Sequence, residues 1–270
     1  MTLHFQEPAE LDLPAYLARV EYEGELAPTQ AVLEALHLAH ATHIPFENLD
    51  VLLKQPIRLD LPSLQEKLVR GGRGGYCFEQ NLLFAAVLQR VGFPLARLAA
   101  RVRARAHRVL PRTHMMLLVR AGDRNWLADV GFGAEGLLLP VPFGGGEEAR
   151  QFTWTYRIVE EEDGLWVLQS KRDEWQDLYA FTLEPQLQID YEMANYYTST
   201  CPDSRFLHTL TVQRASPEGR LIVRDRDLLL DRGSELISQP IGDDEELLTI
   251  LTERFGLRLP LGTRFVYDPL

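Results

Sequence analysis

Cysteine is nearly absent from this chain of 270 residues: Cys77 and Cys201 are the only two. No disulfide framework can therefore staple it. One bridge between them stays open on sequence alone, although nothing in their spacing suggests it. Metal-ligand spacings are missing as well, with no CxxC and no HExxH. No apolar run approaches the ~18 residues of a membrane span, and Met1–Pro8 lacks the basic and apolar regions of a secretory leader. The expectation is a soluble, cytoplasmic protein. Positive charge is also short: 28 Lys and Arg against 39 Asp and Glu leave −11. That balance argues against a general nucleic-acid or anionic-membrane surface. Internal repeats and low-complexity tracts are absent too. What remains is 46% hydrophobic and 25% charged, a globular composition that argues against disorder. The length suits one large domain or two to three small ones.

The first third reads as helical. Asp12-Leu13-Pro14 starts a helix through Val20, with Pro in the first turn. Gln30–Ala41 keeps Val32, Leu33, Leu36 and Ala39 at helical spacing. Ser63 and Glu66 form a capping-box pattern before Leu64–Arg70. Phe78–Val91 is a further helix, stopped by Gly92 with Pro94 beyond. From about Arg97 the texture changes to short strand-like runs: 98–103, 114–119, 126–130, 152–159, 165–169 and 179–183, then 207–213 and 220–224. Gly144-Gly145-Gly146 and Asp163-Gly164 supply turns between some of them. A last helix, 245–254, stops at Gly256. Helices, then strands, then a small mixed end make an α+β arrangement.

Cys77 follows Arg70-Gly71-Gly72-Arg73-Gly74-Gly75-Tyr76 and opens the helical run. A thiol at the mouth of a glycine loop and a helix N-terminus is placed where thiolate is favoured. The bland reading of a lone cysteine beside an apolar helix is a small buried hydrophobe, so a base must be found. His114 opens the strand-like His114–Arg120, and Asn125–Val130 returns after a Gly122-Asp123 turn. That turn pairs Ala121 with Arg124, and counting back sets Met116 opposite Asp129. His114 shares the face of Met116, making His114 and Asp129 a diagonal pair within reach of a hydrogen bond. A slip of one residue would send them to opposite faces. Cys77, His114 and Asp129 then have the makings of a Cys–His–Asp triad. The glycine loop is not a phosphate loop, because GxxxxGK[ST] is absent. Its glycines let the backbone close around Cys77. Arg101, Arg103, Arg105, Arg108 and Arg112 alternate as a strand's solvated face would, though one or two could meet phosphates.

Arg70–Asn81, Thr113-His114-Met115 and Asp129-Val130-Gly131-Phe132-Gly133 resemble the nucleophile, histidine and aspartate segments of arylamine N-acetyltransferases. Residues 44–50, Asn195 with 199–206, and 251–259 also fit, in the expected order over nearly the whole chain. The resemblance implies an N-terminal helical bundle (1–96) carrying the nucleophile, a central β-barrel (97–200) carrying His and Asp, and a C-terminal α/β lid (201–270), around a core like that of cysteine proteases. It implies ping-pong chemistry with acetyl-CoA as acyl donor and no metal, and an aromatic amine or hydrazine as acceptor. Gly131, Phe132 and Gly133 become candidate coenzyme contacts, with Phe132 in the pocket wall. Three other functions compete. An amide synthase closing macrolactams would use the same triad. A thiol hydrolase or transglutaminase-like enzyme would dispense with coenzyme A, and a degenerate binding module would dispense with chemistry.

Overall fold

The computed structural model describes residues 11–267. The helical part holds α1 (Leu13–Arg19), α2 (Gln30–His43), α3 (Leu49–Leu52), α4 (Leu61–Leu64) and α5 (Cys77–Val91). The start of α1 is fixed by Asp12, whose carboxylate accepts from the Ala15 N–H, with Pro14 in the first turn. α5 contains no Gly or Pro and ends at Gly92, which takes φ 104°, a conformation that favours glycine. Nearly all of α5 is buried, so it is the axis of the helical part rather than a surface helix.

One prediction is corrected at α4. Its cap is Asp60, which accepts from the Ser63 N–H at 3.0 Å, and not Ser63. Asp60 wins because Leu61-Pro62 can begin the helix one turn earlier, Pro being at home there. The run then loosens into a π-helical stretch, Gln65–Arg70, which leads into the glycine loop.

The central sheet has eight antiparallel strands: β2 (Leu95–Val102), β3 (Arg112–Ala121), β4 (Arg124–Ala128), β5 (Val141–Pro142), β6 (Ala149–Gln151), β7 (Trp154–Glu160), β8 (Trp166–Lys171) and β9 (Trp175–Phe181). Their order is β5-β4-β3-β2-β9-β8-β7-β6, and β5 lies against β7, so the sheet curls toward a barrel. The alternation of β3 divides two cores. Met115, Leu117 and Val119 pack on the helices, while Met116 points into the barrel with Leu98, Trp154, Tyr156 and Tyr179. The arginine-rich run after β2 is not a strand face: the strand ends at Val102, and 103–111 is loop. Arg105 takes φ 55°, which breaks any extended pairing there.

Helix α6 (Gln188–Thr200) follows the sheet and escapes the periodicity reading, since only Tyr191, Asn195 and Thr198 of it are buried. The last part pairs β10 (Thr211–Ser216), β11 (Gly219–Arg224), β12 (Asp227–Asp231) and β13 (Leu236–Pro240) in order, and α7 (Asp244–Phe255) packs on them. A two-residue strand from the helical part, β1 (Phe46–Glu47), joins this sheet beside β10. Among the described residues no helix is long and apolar enough to cross a membrane.

Buried charge ties β1 and α3 to the glycine loop. Lys67 Nζ bridges Asp50 and Glu79, each at 2.7 Å, and Arg73 bridges Glu47 and Asp50. Burial pushes the Glu79 carboxyl up, Lys67 opposes it, and the balance is about 7. Replacing Lys67 by Met would leave the buried Glu79 carboxylate without its cation, whereas Asp50 would keep Arg73. The expected cost is ~3–5 kcal/mol, read as a lowered urea midpoint with an unchanged slope.

Candidate active site

Three segments of different origin meet at Cys77. The first is the start of α5, where the Tyr76 N–H donates to Glu79 Oε2 at 3.1 Å and locks the turn before the thiol. The second is β3. A bulge at Thr113 separates the pairs Ala100–His114 and Arg101–Arg112, and the freed Thr113 carbonyl lies 3.6 Å from Cys77 Sγ. The third is the loop leaving β4, which carries Asp129 and Gly131.

The hairpin has the register read from its turn: Ala121 pairs with Arg124 and Leu117 with Ala128. His114 Nε2 stands 2.7 Å from Asp129 Oδ2, with both side chains buried. That contact leaves Nδ1 for Cys77, with which His114 also interacts. Burial pulls the imidazole's pKa down, but the Asp129 carboxylate outweighs it and holds the value up to about 10. Burial likewise pushes Asp129 up, and His114, Asn81 and the Gly131 N–H together bring it below the usual carboxylate range.

Asp129 is held by more than His114. Its Oδ1 accepts from Asn81 Nδ2 at 2.9 Å and from the Gly131 N–H at 3.0 Å, and Oδ2 also accepts from the Tyr179 hydroxyl at 2.9 Å. Asn81 further bonds the Met115 carbonyl and the Val130 N–H. His37 Nε2 accepts from the Asp129 N–H at 3.1 Å, while its Nδ1 donates to the Leu138 carbonyl at 3.0 Å. Burial lowers the His37 pKa to about 4, so it is neutral, as an acceptor nitrogen requires. Sequence reasoning assigned no role to Asn81, Tyr179 or His37. Asn81 could have been found, four residues after Cys77 on the same helix face. Tyr179 lies 50 positions from Asp129, and His37 lies 92 positions from it; no local pattern links them.

Of the predicted coenzyme contacts, Gly131 and Phe132 line a cavity of about 270 Å³ together with Cys77 and His114. Phe132 meets the His114 ring edge-on at 4.9 Å between centroids. Gly133 lies elsewhere, against Phe46 at the edge of a small void of about 30 Å³. Phe46, Leu110, Pro111 and Phe206 add apolar wall to the larger cavity.

Gly131 is constrained by close approach. A Cβ there would lie 2.8 Å from Cys77 Cα and 2.9 Å from Asn81 Nδ2. Gly131→Ala must therefore push the nucleophile and the carboxylate loop apart. We expect it to lower kcat by about 10²-fold while retaining a cooperative thermal transition, because small displacements of positioned groups cost rate before they cost folding.

The N-acetyltransferase family model matches residues 29–264. The arylamine N-acetyltransferase of Escherichia coli K12 is 40% identical over 246 residues, covering 90% of this chain and 87% of that protein. The solved arylamine N-acetyltransferase of Salmonella typhimurium superposes with a TM-score of 0.88 at 35% identity, over 97% of this chain and 96% of that one. The Mycobacterium marinum arylamine N-acetyltransferase, solved in complex with CoA, gives 0.86 at 34% identity, over 91% and 93% of the two chains.

Proposed function

The chain belongs to the arylamine N-acetyltransferase family, and from that premise we propose that it moves acetyl from acetyl-coenzyme A, through a thioester on Cys77, to the nitrogen of an aromatic amine or hydrazine. The observation that carries this reading is the chain of contacts Cys77–His114–Asp129 on the wall of a cavity lined by aromatic side chains. His114 takes the Cys77 proton, and the thiolate attacks the acetyl carbonyl. The tetrahedral oxyanion forms beside the first turn of α5, whose N–H groups have no acceptor within the helix. Collapse breaks the carbon–sulfur bond to coenzyme A, and its thiolate leaves with the proton from His114. In the second half the amine attacks the thioester carbonyl, His114 accepts the amine's proton, and the Cys77 thiolate departs. Asp129 fixes the imidazole tautomer and balances its charge throughout.

We assign the nucleophile to residues 1–96, the base and its carboxylate to 97–200, and a lid to 201–270. We place the protein in the cytoplasm, where acetyl-coenzyme A is at hand; Cys77 and Cys201 are both free thiols, as that compartment allows.

The test has two stages. Incubation with acetyl-coenzyme A alone should yield a protein one acetyl heavier, with the adduct mapped to Cys77. Anilines, hydrazines and hydroxyarylamines should then discharge it at different rates. An unmodified protein after the first stage would overturn the covalent scheme. An adduct discharged only by water would mark a thiol hydrolase instead.

A further inference from the structure

Arg220, on β11, is wholly buried, and its guanidinium lies on the Trp154 ring of β7, 3.6 Å from the centroid. Nη2 donates to the Gly136 carbonyl at 2.7 Å and to the Tyr156 hydroxyl oxygen at 2.8 Å. Among the described residues Nε and Nη1 have no partner. The carboxylates of this corner are engaged elsewhere: Glu135 and Asp231 both pair with Arg172. A buried cation with unpaired N–H groups costs stability. A side chain kept against that cost points to a use other than holding the fold together.

What Arg220 touches shows that use. Residues 133–136 form a tight turn, closed by the Gly136 N–H on the Gly133 carbonyl at 2.7 Å. Gly133 takes φ 68° and Ala134 φ 38°, and the second is strained for a residue with a Cβ. Such a turn persists only where its surroundings hold it. Gln213 Nε2 donates to the Ala134 carbonyl at 2.7 Å. Tyr156 has one hydroxyl hydrogen but two carbonyls in reach, Glu135 at 3.1 Å and Gly136 at 3.0 Å. Because Arg220 serves Gly136, Tyr156 can serve Glu135; without Arg220 one of the two carbonyls loses its donor. The turn continues directly from the loop that carries Asp129. There the Gly131 N–H donates to Asp129 Oδ1 at 3.0 Å, and Phe132 packs on the rings of His114 and Tyr179 at 4.9 and 5.0 Å between centroids.

We propose that Arg220 is a positioning residue for acetyl transfer: from the last sheet it holds the turn 133–136, and through Phe132 and Gly131 that turn sets the Asp129–His114 contact that charges Cys77. This rests on the roles given to Cys77, His114 and Asp129 above. Arg220 does not line the cavity that holds Cys77, so it acts through the turn and not on a ligand.

The test compares Arg220→Met with the unaltered chain. Methionine keeps an apolar stem against Trp154 and removes both hydrogen bonds of Nη2. Its thermal midpoint should stay within about 3 °C of the parent's, because an unpaired buried cation is exchanged for a side chain that needs no partner. Alkylation of Cys77 by iodoacetamide is then followed at pH 6 and at pH 9.5. At pH 6 the thiolate depends on His114, whereas pH 9.5 lies above the free-thiol value of ~8.5, so the thiolate forms there without that help. The ratio of the two rates, pH 6 over pH 9.5, should fall at least about fivefold in Arg220→Met. Acetylation of Cys77 by acetyl-coenzyme A at pH 7, read by intact mass, should slow by about tenfold. An unchanged alkylation ratio would overturn the proposal whatever happens to the midpoint, and would leave Arg220 a packing residue. If Arg220→Met is too unstable to assay, Tyr156→Phe decides. It removes the hydroxyl between Arg220 and the turn and should lower the ratio by about threefold; a ratio equal to the parent's would overturn the proposal. Should acetyl-coenzyme A leave even the unaltered protein unmodified, the acetyl-transfer reading fails, and the alkylation ratio still reports on Arg220.

Discussion

Cys77→Ala should carry no acetyl adduct and should lose turnover by at least about 10⁴-fold. Enzymes of this type retain only the rate that binding and oxyanion stabilisation supply once the nucleophile is gone. Folding should be little affected. Cys77 Sγ makes a weak contact to the Thr113 carbonyl at 3.6 Å and a hydrogen bond with His114, and the side chain sits in a core whose neighbours Tyr76 and Phe78 are unchanged. Removing so small a group should cost about 1 kcal/mol, a few degrees at most. The control is Cys201→Ala. Cys201 is also a free thiol, half-buried at the end of α6, and its loss should leave both the adduct and turnover near those of the parent. Intact mass after incubation with acetyl-coenzyme A, with peptide mapping, reads both variants. Turnover surviving in Cys77→Ala would remove every covalent scheme.

Features that rest on near neighbours are legible in the sequence itself. The helix beginning at Cys77 and stopping at Gly92 follows from an uninterrupted run with a glycine stop. The His114–Asp129 contact follows from a hairpin turn and the two-residue period of a strand. Where two local signals competed, the pattern misled: Asp60 and Ser63 both suit a cap, and only the proline after Leu61 decides between them. α6 was hidden because a helix pinned by three buried residues leaves little periodic trace. The charges around Lys67 were hidden for a different reason. Glu47, Asp50, Lys67, Arg73 and Glu79 become partners only when β1 is laid beside the glycine loop, and pairing at that range is a tertiary event. Tyr179 and His37 belong to the same class. They hold Asp129 from the barrel and from α2, and neither carries a motif of its own.

Asp129→Asn should lower kcat/KM by about 10³–10⁴-fold while leaving Cys77 able to bind donors, and its pH behaviour should separate a positioning loss from a folding loss. The native carboxylate accepts four hydrogen bonds, from His114, Tyr179, Asn81 and the Gly131 N–H. An asparagine has one acceptor oxygen and must turn its NH₂ toward two of these donors, so either the imidazole tautomer or the Asn81–Gly131 clamp is lost. In the native protein Asp129 outweighs burial and holds the His114 pKa up to about 10. That contribution to stability is fully present below the unfolded histidine value of ~6.5 and is lost as pH rises through the folded value. Asp129 itself lies below its usual value, so its contribution is present above ~3.9 and is lost as pH falls. The stability gap between the native protein and Asp129→Asn should therefore be widest from about pH 4 to 6.5 and should narrow toward pH 10. Urea unfolding at pH 6 and pH 10 measures it. Alkylation of Cys77 by iodoacetamide supplies the second readout. Near pH 6 the native protein should react readily, because His114 can hold the thiol's proton, and the variant should react at least about tenfold more slowly. Equal alkylation rates at pH 6, with a stability gap that does not change between pH 6 and 10, would show that Asp129 neither charges nor orients His114.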